Sequence, residues 1–240
     1  MPDVQTQKRV NESILGPLEK PVLLWLAKHT PAQIGSDTMT LIGIVGTGVI
    51  LVGYGLSHLH PGFLWLASLG FVVNWLGDSM DGTLARYRKA ERPKYGFFVD
   101  HLVDAGSQVV IFVGMGISPY VQLDYACLAL AGYLLLSIYA YVTAFVTGEF
   151  RISYIKLGPT EMRLIAISLN TGVFFFGNPI LPIPGSPTSA FDMFVLFIAA
   201  LLISVFTVVS IRKSLVFRNE EMQALGLTNP DETNLPEEIN

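Results

Sequence analysis

The chain has 240 residues, 51% of them hydrophobic and 14% charged, with a mean hydropathy of +0.51. Soluble domains carry about 25% charged residues, so this composition excludes an ordinary soluble domain and indicates an integral membrane protein built as one bundle. The single cysteine, Cys127, excludes an intrachain disulfide and a thiolate cluster, and the net charge is −4.

In chain order, residues 1–20 carry charges throughout and show no leader-like apolar core. Residues 4–31 read as a juxtamembrane helix. Val10, Ile14, Leu15 and Leu18 recur at helical spacing with Lys8, Arg9, Glu12 and Glu19 between them. That suits a helix lying in the interface or packed on the bundle. Six stretches of roughly the length that crosses a bilayer follow: 36–56, 62–83, 97–118, 124–147, 162–178 and 189–211. The proline-rich stretch 178–188 between the last two cannot continue a helix. Within the first span, GIVGTG (43–48) follows no strand and reads as helix packing rather than a dinucleotide loop. Asn74 in the second span reads as interhelical glue or pocket lining. The acidic stretch 219–240, with six acids and no base, is expected to be disordered.

The basic residues test this layout. Lys8, Arg9, Lys20 and Lys28 precede the first span, and Arg86, Arg88, Lys89, Arg92 and Lys94 lie between the second and third. Arg151, Lys156 and Arg163 flank the fourth connection, and Arg212, Lys213 and Arg218 follow the last span. These are every Lys and Arg in the chain, and they fall on one side of a six-span topology with both termini cytoplasmic. The expected fold is all-α: a polytopic bundle of six transmembrane helices with an N-terminal juxtamembrane helix. The expected divisions are 1–32, a membrane domain at 33–216 and a tail at 217–240.

Four aspartates interrupt the apolar pattern. Asp78 and Asp81 are spaced i, i+3, and Asp100 and Asp104 i, i+4, so each pair shares a helix face. Asp78 lies eight residues before Arg86 and Asp104 eight after Gly96. An antiparallel hairpin therefore sets the pairs opposite one another, at roughly 12 Å from the cytoplasmic end. Intramembrane carboxylates are costly and usually functional. Arg86 and His101 are the bases near them in sequence, so a salt-bridge network leaves the acids under-compensated. Divalent cations would neutralise them. Oxygen ligands suit Mg²⁺, Mn²⁺ or Ca²⁺, and a pair of such ions is a phosphoryl-transfer device. An ion or substrate transporter using the acids as a cation path is the alternative, and it leaves Gly82, Ala85 and Arg86 without a reason.

The spacing D-x2-D-G-x2-A-R-x9-G-x3-D-x3-D, here Asp78, Asp81, Gly82, Ala85, Arg86, Gly96, Asp100 and Asp104, resembles the signature of the CDP-alcohol phosphotransferase family. The resemblance implies an enzyme that displaces CMP from a CDP-linked substrate with an alcohol hydroxyl, in phospholipid biosynthesis. It implies that the four aspartates ligate two divalent cations, Mg²⁺ first and Mn²⁺ second, with Asp104 also the general base. Gly82 and Ala85 would let the nucleotide approach, or serve close packing. Arg86 would contact phosphate, or anchor the topology. Thr40 matches a nucleotide-facing position, and Asp37 stands where the family often has Asn, as a nucleotide contact or an N-cap.

His101 produces D-H-x-x-D, similar to members that join CDP-choline or CDP-ethanolamine to a lipid alcohol such as diacylglycerol; a histidine donating to an aspartate reads equally well. Arg151, Lys156 and Arg163 would bind an anionic acceptor, with topology anchoring and a Thr160 cap as the plainer reading. CDP-diacylglycerol is the expected donor. The resemblance further implies a homodimer in a bacterial or archaeal cytoplasmic membrane, its site on the cytoplasmic face, with the bilayer, the CDP-linked substrate, CMP and an alcohol as partners and no nucleic acid.

Overall fold

The computed structural model describes residues 8–10, 14–151, 158–181 and 188–226. Seven helices account for nearly all of them: α1 (Gly16–His29), α2 (Ser36–Leu56), α3 (Phe63–Tyr87), α4 (Pro93–Gly116), α5 (Leu123–Thr147), α6 (Pro159–Phe176) and α7 (Ala190–Ala224). Five of them, α2, α3, α4, α5 and α7, are long and apolar enough to cross a membrane. The chain is a helical, polytopic integral membrane protein, with one short strand pair beside its helices.

The sixth expected span needs a different argument. α6 has 18 residues and begins with Glu161 and Arg163, which lowers its hydropathy. Yet it lies antiparallel along α3. Arg163 contacts Asp78, Asn170 donates to Ser68, and Phe174 meets Trp65 with ring centroids 5.6 Å apart. Those three contacts follow α3 from its carboxylates to its first turn. α6 therefore runs beside α3 from Asp78 to Trp65, although it is not among the five helices long and apolar enough to cross a membrane.

Two elements depart from expectation. The N-terminal helix begins at Gly16, with Pro17 in its first turn, where the missing N–H costs nothing. Ahead of it, Lys8–Val10 form a strand paired in parallel with Glu149–Arg151, so Val10 does not extend the helical stripe. At the other end, α7 runs to Ala224 rather than stopping near 211. Its 35 residues span about 52 Å at 1.5 Å each, well beyond a hydrocarbon core of about 30 Å. The basic residues Arg212, Lys213 and Arg218 lie on this continuation, and residues 227–240 lie outside the described residues.

Close packing of α2 on α3 sets up the site. A Cβ at Gly46 would come within 2.4 Å of the Asn74 backbone nitrogen, and one at Gly77 within 2.2 Å of the Gly43 nitrogen. No side chain fits at either crossing point. The run GIVGTG is thus a helix-packing seam, as read from the sequence. α1 is fastened at the same end. Arg88 donates to the carbonyls of Thr30, Pro31 and Ile34, satisfying backbone groups between α1 and α2. Glu19 accepts from Trp75 and Ser79 of α3 and Thr160 of α6.

Candidate metal centre between three helices

Each signature aspartate owes its place to helical spacing on α3 or α4, two helices that both pack against α2. Asp78 and Asp81 lie three residues apart on α3, and Asp100 and Asp104 four apart on α4. One carboxylate oxygen from each of Asp78, Asp100 and Asp104 lies within 4.8 Å of the others, all three partly buried. They line a narrow cleft together with Asp81, Thr40 and Gly43 of α2, Asn74 of α3 and Ser107 of α4. The donors are oxygen only. Two oxygens on opposite sides of a Mg²⁺ or Ca²⁺ are about 4.2–5.2 Å apart, given ligand distances of about 2.1–2.6 Å. The observed spread therefore fits one hard divalent cation.

Asp81 stands apart from this trio. Its Oδ2 accepts from the Thr40 hydroxyl at 2.8 Å and its Oδ1 from the Gly82 N–H, while Ser36 donates to its carbonyl. α2 thus holds Asp81 at the lip of the cleft. Thr40 lines the cleft and bonds Asp81. Asp37 is not an N-cap: Gly35 occupies that position, and Asp37 pairs with Arg92 at the start of α4. The pair is half exposed, 59% and 50% for the two side chains, so solvent screening leaves it little to add to stability.

Gly82 and Arg86 face each other. A Cβ at Gly82 would lie 3.1 Å from an Arg86 guanidinium nitrogen, and Arg86 also donates to Thr83. The glycine makes room for the arginine head beside Asp81. Ala85 is one residue away on the same turn.

The sequence missed the cation that meets the cluster. Arg163 of α6, 93% buried, donates through Nη2 to Asp78 Oδ2 at 2.7 Å and through Nε to Asn74 Oδ1 at 2.8 Å. Arg163 was expected among surface bases for an anionic acceptor. It is instead tied to the carboxylates. Asn74 is glue of a particular kind, since its amide donates to the Gly43 carbonyl and the Thr47 hydroxyl while its oxygen holds the arginine. The Arg151 side chain and Lys156 lie outside the described residues. Thr160 does not cap α6. The cap is Glu161, whose carboxylate accepts from the Gly158 N–H and from Leu15 of the N-terminal segment. Sequence could have flagged Glu161 as a first-turn acid; nothing in it pointed from Arg163 to Asp78, 85 residues away.

His101 lies with Nδ1 3.4 Å from Asp100 Oδ2, long for a hydrogen bond. Its ring stacks on Phe97 at 4.0 Å and tilts against Tyr141 of α5 at 4.9 Å. A second groove of about 200 Å³ adjoins the cleft, sharing Thr40 and Val103 and lined otherwise by Asp37, Leu41, Ile44, Tyr95 and Val99.

Comparison with known proteins agrees with this geometry. A family model described as CDP-alcohol phosphatidyltransferase matches residues 35–219. The chain is 29% identical over 165 residues to a cholinephosphotransferase 1 of Danio rerio, covering 63% of this chain and 42% of that protein. It is 32% identical over 100 residues to an uncharacterized protein of Aquifex aeolicus (strain VF5), covering 42% of this chain and 46% of that one. The chain thus spans less than half the length of each of these two relatives.

Proposed function

The chain belongs to the CDP-alcohol phosphatidyltransferase family, and from that premise we propose that it is a membrane phosphotransferase of phospholipid synthesis. In the proposed reaction an alcohol oxygen attacks the phosphorus bearing the transferred group. The bond from that phosphorus to the bridging oxygen breaks, and CMP leaves with that oxygen. The hydroxyl proton passes to a carboxylate, and the resemblance assigns that role to Asp104. The observation that carries the reading is the convergence of Asp78, Asp100 and Asp104 oxygens within 4.8 Å, inside the matched region. A cation path is the weaker reading, because it leaves the matched family unexplained.

Asp78, Asp100 and Asp104 would hold a divalent cation, Mg²⁺ or Mn²⁺, with Asp81 available to a second. Such an ion supplies positive charge for the pyrophosphate oxygens. The protein's own residues position the rest. Thr40 orients Asp81, Gly82 leaves space beside Arg86, and the Arg86 guanidinium suits a phosphate of the donor. Asn74 holds Arg163, which meets Asp78.

Four observations favour transfer from a CDP-linked amino alcohol to a lipid alcohol over the CDP-diacylglycerol donor expected from sequence. The Danio rerio relative is a cholinephosphotransferase, and His101 stands beside Asp100 in the D-H-x-x-D arrangement. Arg163, one of three bases invoked for an anionic soluble acceptor, is already engaged by Asp78 and Asn74. The groove beside Thr40, with Leu41, Ile44 and Val99 on its walls, suits an acyl chain. The test is CMP release by purified protein with Mg²⁺, from CDP-choline plus diacylglycerol and from CDP-diacylglycerol plus soluble alcohols, with products identified by lipid mass spectrometry. A diacylglycerol-dependent choline lipid is expected. Product only from CDP-diacylglycerol would reverse the donor, and no CMP from any pairing would remove the enzyme reading.

The proposal places the site on the cytoplasmic side, on the strength of the basic connections around it. A bacterial or archaeal origin draws no support from relatives in a fish and a bacterium. A homodimer is proposed from the family resemblance, and light scattering of the detergent-solubilised protein tests it.

A further inference from the structure

We infer that Arg163 is a resident counter-cation that competes with the divalent ion for Asp78, and so sets the ion concentration at which the site fills. The inference rests on the reading of Asp78 as a metal ligand. Three carboxylates at this spacing repel one another unless a positive charge stands among them. Arg163 brings one, from a helix that carries none of the aspartates.

Its attachment is divided in a telling way. Nε bonds Asn74 Oδ1, and Asn74 is itself held by the Gly43 carbonyl and the Thr47 hydroxyl. That anchor does not involve a carboxylate. Nη2 alone takes Asp78, and Nη1 is buried with no hydrogen-bond partner among the described residues. A buried ion pair is strong when every donor is satisfied, and an orphaned nitrogen marks this one as incomplete. The guanidinium can therefore release Asp78 to an incoming ion while Asn74 keeps it in place. A purely structural staple between α3 and α6 would oppose nothing at the metal site.

The experiment measures Mn²⁺ binding to the full-length protein in detergent, from the electron paramagnetic resonance of free Mn²⁺, alongside thermal unfolding in EDTA and in excess Mn²⁺. A neighbouring cation alters a carboxylate's proton affinity by about 10- to 1,000-fold. With the ion shared among three carboxylates, Arg163→Gln is expected to bind Mn²⁺ about tenfold more tightly than the wild type. Its unfolding midpoint should fall in EDTA and recover more on adding Mn²⁺ than the wild type gains. If Arg163→Gln does not fold, Arg163→Lys serves. An ammonium cannot span Asn74 and Asp78 with a planar fork, so tighter binding is again expected. Equal or weaker Mn²⁺ binding by the folded variant overturns the inference while leaving the metal site standing. A wild type that binds no Mn²⁺ overturns both.

Discussion

A buried aspartate and a partly buried cluster of three sit at opposite ends of this bundle, and the protein handles them in opposite ways. At the start of α7, Asp192 is 3% exposed and surrounded by donors. Its oxygens accept from the Gln122 N–H and side-chain amide and from the Ser189 N–H and hydroxyl, all at 2.8–3.1 Å. At the other end, Asp78, Asp100 and Asp104 face one another across α3 and α4, met by Arg163 at Asp78 and by His101 near Asp100. A carboxylate wrapped in N–H and O–H donors is satisfied where it stands and serves the fold. A cluster of carboxylates facing each other is under-compensated, and the proposed function makes it the holder of a ligand.

The sharpest way to break this contrast is to neutralise one acid at each end. Asp78→Asn, Asp100→Asn or Asp104→Asn should each lower CMP release by about a thousandfold, the equivalent of about 4 kcal/mol of lost transition-state stabilisation. Far-ultraviolet circular dichroism should stay helical. If any of the three variants turns over at wild-type rate, that residue leaves the proposed centre. Asp192→Ala strands the four donors that now meet its side chain. It should destabilise the bundle by about 2–3 kcal/mol, read as a lower unfolding midpoint, with turnover per folded molecule kept. A collapse of turnover at unchanged stability would make Asp192 functional and dissolve the contrast. The smallest effect concerns an acid of a third kind. Asp37 is exposed and paired with Arg92, so solvent screens the pair and Asp37→Ala should leave the unfolding midpoint essentially unchanged. If it instead raises KM for the CDP-linked donor tenfold or more, Asp37 is a nucleotide contact despite that pairing.

Much of this was readable along the chain, because helical spacing is local. The pairs Asp78/Asp81 and Asp100/Asp104 and the glycine seam of α2 follow from helical period, whereas the expected hairpin of level pairs does not hold in full, since Asp81 lies outside the trio and α2 packs on both α3 and α4. Contacts made by distant helices were not readable. Arg163 reaches Asp78 across 85 residues, Glu19 joins α1 to α3 and α6, and Glu161 takes over the cap expected of Thr160. Each depends on which helix lies beside which, and spacing within one helix carries no such information. The extent of α7 escaped for a different reason. Hydropathy marks where a helix leaves the bilayer, whereas helical propensity continues through polar residues such as Arg218 to Ala224.

The central claim is that the trio on α3 and α4 is a divalent-ion phosphotransfer centre. The most direct measurement is CMP release from the preferred CDP-linked donor by protein stripped with EDTA and then reloaded with Mg²⁺ or Mn²⁺. Stripping should abolish release in the wild type and in Asp192→Asn, and reloading should restore it in both but not in Asp78→Asn. Undiminished release from the stripped wild type, or restored release in Asp78→Asn, would contradict the account.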